Sequence, residues 1–239
     1  MQLTDKITLV TGASSGIGQT IARHLAEEGA TVYGLARSTG KLEAFRDEIG
    51  AERFRPLTGD VRDDVSVQEA VDQIENEAGR LDVLVNNAGL AQFGDVDEQS
   101  LEEWNVQMET NVRGVFLCTR AAVPLMKRQN DESGFGGHIV NIASIAGLVS
   151  NPGMSGYNAS KHGVRGFSKA AMKELRSDGI KVSCVYPGSV QTNFSDVAGS
   201  GGGAGNPMQA DDVAATVLHL LRTPDNYLIS EVVMRPLRP

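Results

Sequence analysis

Three glycines in the stretch Gly12-Ala13-Ser14-Ser15-Gly16-Ile17-Gly18 constrain this chain more than any other feature. They lie between Lys6-Ile7-Thr8-Leu9-Val10, a short apolar run rich in β-formers, and a segment in which Ile17, Ile21, Ala22 and Leu25 recur at helical spacing. A buried strand therefore passes straight into a helix through residues that allow a tight turn and close backbone approach. The first N–H groups of such a helix have no partner within it, and with the helix dipole they attract an anion such as a pyrophosphate. Gly12, Ser14, Ser15, Gly16, Ile17 and Gly18 are the candidate contacts. The spacing is Gly-x-x-x-Gly-x-Gly rather than the Gly-x-Gly-x-x-Gly of many dinucleotide folds.

Beyond this unit, apolar β-rich runs alternate with helical periodicity, the pattern of a doubly wound parallel sheet with helices on both faces. Strands are expected near 6–11, 30–36, 53–58, 81–86, 138–143, 180–186 and 227–233. Helices are expected near 16–28, 40–50, 64–79, 101–128, 155–178 and 209–222. A length of 239 residues with 41% hydrophobic content suits one domain spanning 1–239 with a full core. No linker divides it. The glycine-rich run 199–205 marks the segment 190–208 as a flexible connection.

Tyr157 and Lys161, in Tyr-Asn-Ala-Ser-Lys, stand four residues apart and so share one helix face, with Ser144 thirteen residues upstream. A free phenol holds its proton to a pKa of about 10, and a neighbouring cation favours the phenolate. Lowering that value to neutrality takes about 4 kcal/mol, within reach of one poorly solvated ammonium. The pair reads as a proton donor and acceptor with its activator.

Taken together, these motifs resemble the short-chain dehydrogenase/reductase family in its compact branch, nearly end to end. Asp60-Val61 follows the third strand, Asn86-Asn87-Ala88-Gly89 closes the fourth, Asn111 lies on a long helix, and Ser144 ends the strand 138–143. Pro187-Gly188 with Val190 and Thr192 completes the order. The resemblance implies a single-domain Rossmann fold with a seven-stranded parallel sheet. It also implies a catalytic tetrad of Asn111, Ser144, Tyr157 and Lys161. In that scheme Tyr157 protonates the carbonyl oxygen, Ser144 hydrogen-bonds it, Lys161 lowers the tyrosine pKa and holds the nicotinamide ribose, and Asn111 anchors a relay water. Asp60, Val61, Asn87, Ala88, Gly89, Pro187, Gly188, Val190 and Thr192 are the implied contacts to the rest of the cofactor.

The choice of cofactor is legible at the end of the second strand, Thr31-Val32-Tyr33-Gly34-Leu35-Ala36-Arg37-Ser38. Folds that select NAD place an acid there, about 20 residues past the glycines, to bind the ribose 2′-hydroxyl. Here Ala36 occupies that place and Arg37 follows. A guanidinium holds a phosphate bidentately where a carboxylate would repel it. Arg37, with Ser38 and Ser14, predicts NADP(H) over NAD(H).

Other chemistries find little support. A net charge of −8 and 5% aromatic content argue against nucleic acid or an anionic membrane as partner. No apolar run reaches the ~20 residues of a membrane span, and a first strand beginning at residue 6 leaves no secretory leader, so a cytoplasmic location is expected. His24, His138, His162 and His219 show no metal-ligand spacing. Cys118 and Cys184 read as buried thiols, and Ser144 lacks a Gly-x-Ser-x-Gly elbow.

For the substrate, the resemblance points to the segment after Gly89, the Ser144–Tyr157 connection and the flexible segment 190–208, which it implies is a lid over the substrate. Gln92, Phe93, Ser144, Met154, Tyr157 and Phe194 are the candidate contacts. No lysine or arginine occurs from Gly188 to Ala210, which favours a neutral ketone, aldehyde or alcohol over a free carboxylate or phosphate. Two alternatives stay open. One is a 3-oxoacyl thioester reductase with Lys127 and Arg128 in a docking patch. The other is a serine-type 3-hydroxy acid dehydrogenase whose cation, such as Arg235, comes from elsewhere. A non-catalytic NADP sensor on the same fold is more remote. The apolar residues Val115, Phe116, Val123, Leu125 and Phe167 and the family's habit imply a homo-oligomer, a tetramer or dimer.

Overall fold

The computed structural model describes residues 2–192, 194 and 206–237. Seven parallel strands form one sheet: β1 (Ile7–Thr11), β2 (Thr31–Ala36), β3 (Phe54–Thr58), β4 (Val83–Asn86), β5 (Gly137–Ile142), β6 (Ile180–Pro187) and β7 (Glu231–Met234). Their order across the sheet is β3-β2-β1-β4-β5-β6-β7. The helices are α1 (Gly16–Glu27), α2 (Thr39–Ile49), α3 (Asp64–Ala78), α4 (Leu101–Met108), α5 (Gly114–Ser133), α6 (Ser155–Leu175) and α7 (Ala210–Arg222).

Successive strand residues feed opposite apolar layers, as a period of two requires. Val10, Val83, Val85, Val140 and Val185 pack with Ile21, Leu25, Phe45 and Val217 on one face. Leu9, Leu84, Ile139 and Val182 pack with Ile74, Leu117 and Leu125 on the other. Burial on both faces explains why these strands read as continuous apolar runs instead of alternating ones. Strand order reverses between β1 and β4, which opens a crevice at their C-terminal ends. The opposite end is fastened by Asp82, whose carboxylate accepts from Ile7 N at 2.9 Å, Lys6 Nζ at 3.2 Å, and Arg80.

Two expected elements differ. The helix expected over 101–128 is broken by a π-turn, Glu109–Arg113, and then runs on to Ser133. The wide turn carries Asn111 into the interior, and such turns concentrate at functional sites. The last strand starts at Glu231, opposite Cys184, and not at 227. Before that point Ile229 O is taken by the Ser183 hydroxyl at 2.6 Å, so the chain is held by a side chain before the ladder begins. Of the residues expected on an outer apolar face, Val115 and Leu125 lie in this chain's own core, whereas Phe116 is exposed and meets Phe167 edge-on at 6.4 Å. Most of the lid expected over 190–208, with the glycine run 199–205, lies outside the described residues.

Candidate active site

The turn between β1 and α1 is locked to the turn after β4. Thr11 Oγ1 accepts from the N–H groups of Asn87 and Ala88, each at 3.0 Å, and Asn87 Nδ2 donates to Thr11 O at 3.0 Å. The two backbones approach so closely that a Cβ on Gly12 would lie 2.9 Å from Ala88 Cα, and one on Gly18 would collide with the Asn87 amide and the Gly12 carbonyl. Gly12 and Gly16 also take positive φ angles of 66° and 55°, which side chains rarely adopt. At the start of α1, Ser15 is the N-cap but gives no side-chain cap, and no acid occupies the first turn. The helix thus presents its N–H groups and positive dipole end to an outside anion. These residues fit a dinucleotide pyrophosphate. Ser14 and Ile17 lie half-buried in the same turn, and the Thr192 side chain sits 3.5 Å from where a Gly16 Cβ would be.

Across the crevice, Ser144 caps a short 3₁₀ turn, Ile145–Gly147, accepting from Ala146 N at 3.1 Å. Its hydroxyl lies beside the Tyr157 phenol and favours that group's charged form. Tyr157 is buried with Ala91 and Ala146 against Phe93 and Met154. Its ring is 5.9 Å from that of Phe93 and 6.0 Å from that of Phe194. Lys161, also buried, donates Nζ to Ile142 O at 3.2 Å and stands 5.7 Å from the Tyr157 ring centroid. The Cβ position of Gly89 is 3.4 Å from the same Nζ.

The electrostatics depart from the sequence expectation. Burial pushes the Tyr157 phenol up to about 12, against which the neighbouring Ser144 hydroxyl pulls only partly. Burial brings the Lys161 ammonium down to about 8. The ammonium is turned to a main-chain carbonyl, and burial is the larger influence on the phenol. In the protein alone Tyr157 is therefore firmly protonated, a form suited to donating its proton.

Asn111 holds structure together in a way its sequence position does not show. Its Oδ1 accepts from Leu90 N at 2.8 Å, while Nδ2 donates to Leu90 O at 2.8 Å and Ser160 Oγ at 2.9 Å. Ser160 Oγ in turn donates to Tyr157 O at 2.8 Å. Both amide hydrogens are committed to bracketing the post-β4 turn and α6. This side chain acts as a positioning residue, and the expected water anchor would have to use another of its atoms. Gln107, which sequence reasoning missed, does a similar job: buried, it accepts from Gln92 N at 3.1 Å. Gln99 Nε2 donates to Gln92 O at 2.9 Å. Gln92 is thus held by its main chain beside Phe93. A buried glutamine inside an amphipathic helix was the one available signal.

At the far end of the crevice Ala36 pairs with Thr58 as β2 and β3 end, so Arg37, Ser38 and Asp60 emerge side by side. Arg37 and Ser38 are exposed, and Val61 is buried. Arg62, also missed, grips Asp60 with Nε at 3.0 and 3.1 Å and Nη2 at 2.6 Å, which holds that carboxyl below its ordinary range. Pro187 is buried at the end of β6, Gly188 N donates to Met234 O at 2.8 Å, and Val190 bridges to Met208. Lys127 and Arg128, expected in a docking patch, are paired with Asp178 and Glu75.

A sheet of this order with a glycine cradle at its switch point is the architecture of dinucleotide-binding oxidoreductases. The family model described as short chain dehydrogenase matches residues 6–201, and the chain belongs to that family. It is 41% identical over 200 residues to a 3-oxoacyl-[acyl-carrier-protein] reductase of Staphylococcus aureus (strain Mu50), covering 82% of this chain and 78% of that one. Among solved structures it is similar to the closed form of a serine dehydrogenase complexed with NADP+, with 32% identity, a TM-score of 0.90, and 97% and 95% of the two chains covered. It is also similar to a 3-ketoacyl-(acyl-carrier-protein) reductase from Brucella melitensis complexed with NADH, with 28% identity, a TM-score of 0.89, and 97% of each chain covered. Among the described residues no helix is long and apolar enough to cross a membrane, and no cluster of His, Cys, Asp and Glu forms a metal site.

Proposed function

We propose that this oxidoreductase interconverts a neutral carbonyl compound and the matching secondary or primary alcohol, with NADP(H) as its preferred cofactor. The observation that carries the reading is the buried Tyr157 phenol beside the Ser144 hydroxyl, with the buried Lys161 ammonium 5.7 Å from its ring centroid. Bound nicotinamide supplies or accepts the hydride. The Tyr157 phenol gives its proton to the substrate oxygen in reduction and takes it back in oxidation, and the Ser144 hydroxyl fixes that oxygen's place. Lys161 offsets negative charge on the phenolate once the proton has left, which an ammonium in a dry site does far better than one in water. Asn111 sets the distance between the post-β4 turn and α6. Gly12 to Gly18, with Asn87, Ala88 and Gly89, would hold the pyrophosphate and neighbouring groups, Pro187 to Thr192 the carboxamide, and Asp60 and Val61 the adenine.

Preference for NADP(H) rests on Ala36 and Arg37 and gains support from the NADP+-bound relative; the NADH-bound one shows that both cofactors occur in related proteins. The substrate side of Tyr157 is walled by Phe93, Met154 and Phe194, which favours an uncharged substrate. A 3-oxoacyl thioester is the second reading, carried by the 41% identity to the staphylococcal reductase. The ion pairs of Lys127 and Arg128 leave it no free docking cations at those positions. We expect a homo-oligomer, with the exposed Phe116 and the half-buried Phe167 beside it at the interface.

The test is absorbance of reduced nicotinamide with neutral ketones, keto acids and thioesters, for the wild type and Tyr157→Phe. Turnover of neutral ketones with NADPH, abolished in the variant while NADPH still binds, is the expected outcome. Undiminished turnover by Tyr157→Phe would sink the mechanism, and a preference for NADH would reduce Arg37 to a surface charge.

A further inference from the structure

The adenosine end of the crevice holds a contradiction. A protein that is to accept a 2′-phosphate has an acid, Asp60, emerging next to the place where that phosphate would lie. The β2–β3 register sets this: Ala36 is opposite Thr58, Gly59 N donates to Ala36 O at 3.1 Å, and the next residues are Arg37 on one strand and Asp60 on the other. A bare carboxylate there would repel a phosphate dianion and would engage Arg37 itself.

The structure resolves the conflict through Arg62. Its Nε reaches both Asp60 oxygens, at 3.0 and 3.1 Å, its Nη2 reaches Oδ2 at 2.6 Å, and its own N–H donates to Oδ1 at 3.0 Å. A fork of this kind is fixed in direction as well as strong. The pair is about a quarter to a third exposed, so it stands at the rim of the site. Arg37 makes no salt bridge among the described residues, and its charge also lowers the Asp60 carboxyl, though less than Arg62 does. Glu109 is close enough to act on Arg62 but more weakly than Asp60 does.

We propose that Arg62 is a specificity-determining residue for the cofactor: by clamping Asp60 it offsets most of the acid and keeps Arg37 out of an ion pair with it, available to a 2′-phosphate. The inference rests on the NADP(H) reading and names a second residue on which that preference depends. Arg62 acts through Asp60, so neutralising it should harm a phosphorylated cofactor selectively.

Calorimetric dissociation constants for NADPH and NADH decide the matter, measured on wild type, Arg62→Gln, Arg62→Lys and the double variant Arg62→Gln/Asp60→Asn. Arg62→Gln should weaken NADPH about tenfold while changing NADH less than about twofold, the scale of one charge interaction in a half-exposed site. Arg62→Lys, which keeps the charge and loses the fork, should fall between. The double variant should recover most of the wild-type ratio of the two constants, whatever Asp60 contributes to adenine itself. Equal weakening of both cofactors by Arg62→Gln, or a double variant with the same ratio as the single one, would overturn the proposal. A wild type that prefers NADH would instead defeat the underlying cofactor reading, before any variant is measured.

Discussion

Replacing Lys161 with methionine should make the protein more stable and inactive. Lys161 is buried, and the loss of hydration brings its ammonium from 10.5 to about 8. At about 1.4 kcal/mol per pH unit, that gap amounts to about 3 kcal/mol of destabilisation at pH 7. Between these values the unfolded chain binds the lysine proton and the folded one does not, so stability rises with pH across the window. Methionine keeps an unbranched stem of similar size, removes the charge, and loses one hydrogen bond to Ile142 O, worth about 1 kcal/mol. The net expectation is a gain of about 2 kcal/mol at pH 7, or about 4–8 °C in melting temperature for a chain of this length. The advantage should shrink by about 2 kcal/mol at pH 10, where the wild-type lysine is neutral when folded. Urea denaturation of both proteins without nucleotide, at pH 7 and pH 10, measures this directly. A variant less stable than wild type at pH 7, or a gap independent of pH, would refute the reasoning that burial dominates the lysine's energetics.

Two further outcomes follow from close packing and from the Asp82 clamp. Gly18→Ala would ordinarily gain about 1 kcal/mol inside a helix, yet here its Cβ meets the Asn87 amide and a main-chain oxygen that cannot swing away. A net loss of about 1–3 kcal/mol is expected, with a large rise in the NADPH dissociation constant; an unchanged denaturation midpoint would contradict the packing. Asp82→Ala should cost about 2 kcal/mol, because it strands a main-chain N–H and two half-solvated cations at the closed end of the sheet. The exposed Asp131→Ala should change the urea midpoint little, and equal effects from both would dismiss the clamp.

Much of the architecture was legible because it depends on local pattern. Seven apolar runs and the periodic segments between them correspond to the observed strands and helices, with ends moved by a few residues. The wide turn at Glu109–Arg113 was not legible, since nothing in Glu-Thr-Asn-Val-Arg breaks helical periodicity; it arises where α4 and α5 pack on α6 and the post-β4 turn. Ser144, Tyr157 and Lys161 were legible by type and spacing, and the fold does bring them together. Arg62 and Gln107 were not, because their work consists of filling another residue's hydrogen bonds, and a partner's identity is absent from any single stretch of chain.

The order of residues determined by itself that a glycine turn joins β1 to α1, that strands and helices alternate, and that no acid follows β2 where an NAD-selecting fold would carry one. These are consequences of backbone freedom, side-chain period and residue type, which act over a few residues. Tertiary structure alone decided the protonation of the site. Lys161 lies four residues from Tyr157 in any helix, but only packing under β5 and β6 removes its water, turns it to Ile142 O, and lets burial set the protonation of both groups. Charge energies depend on the surrounding dielectric, and that is set by every chain segment that closes over the group.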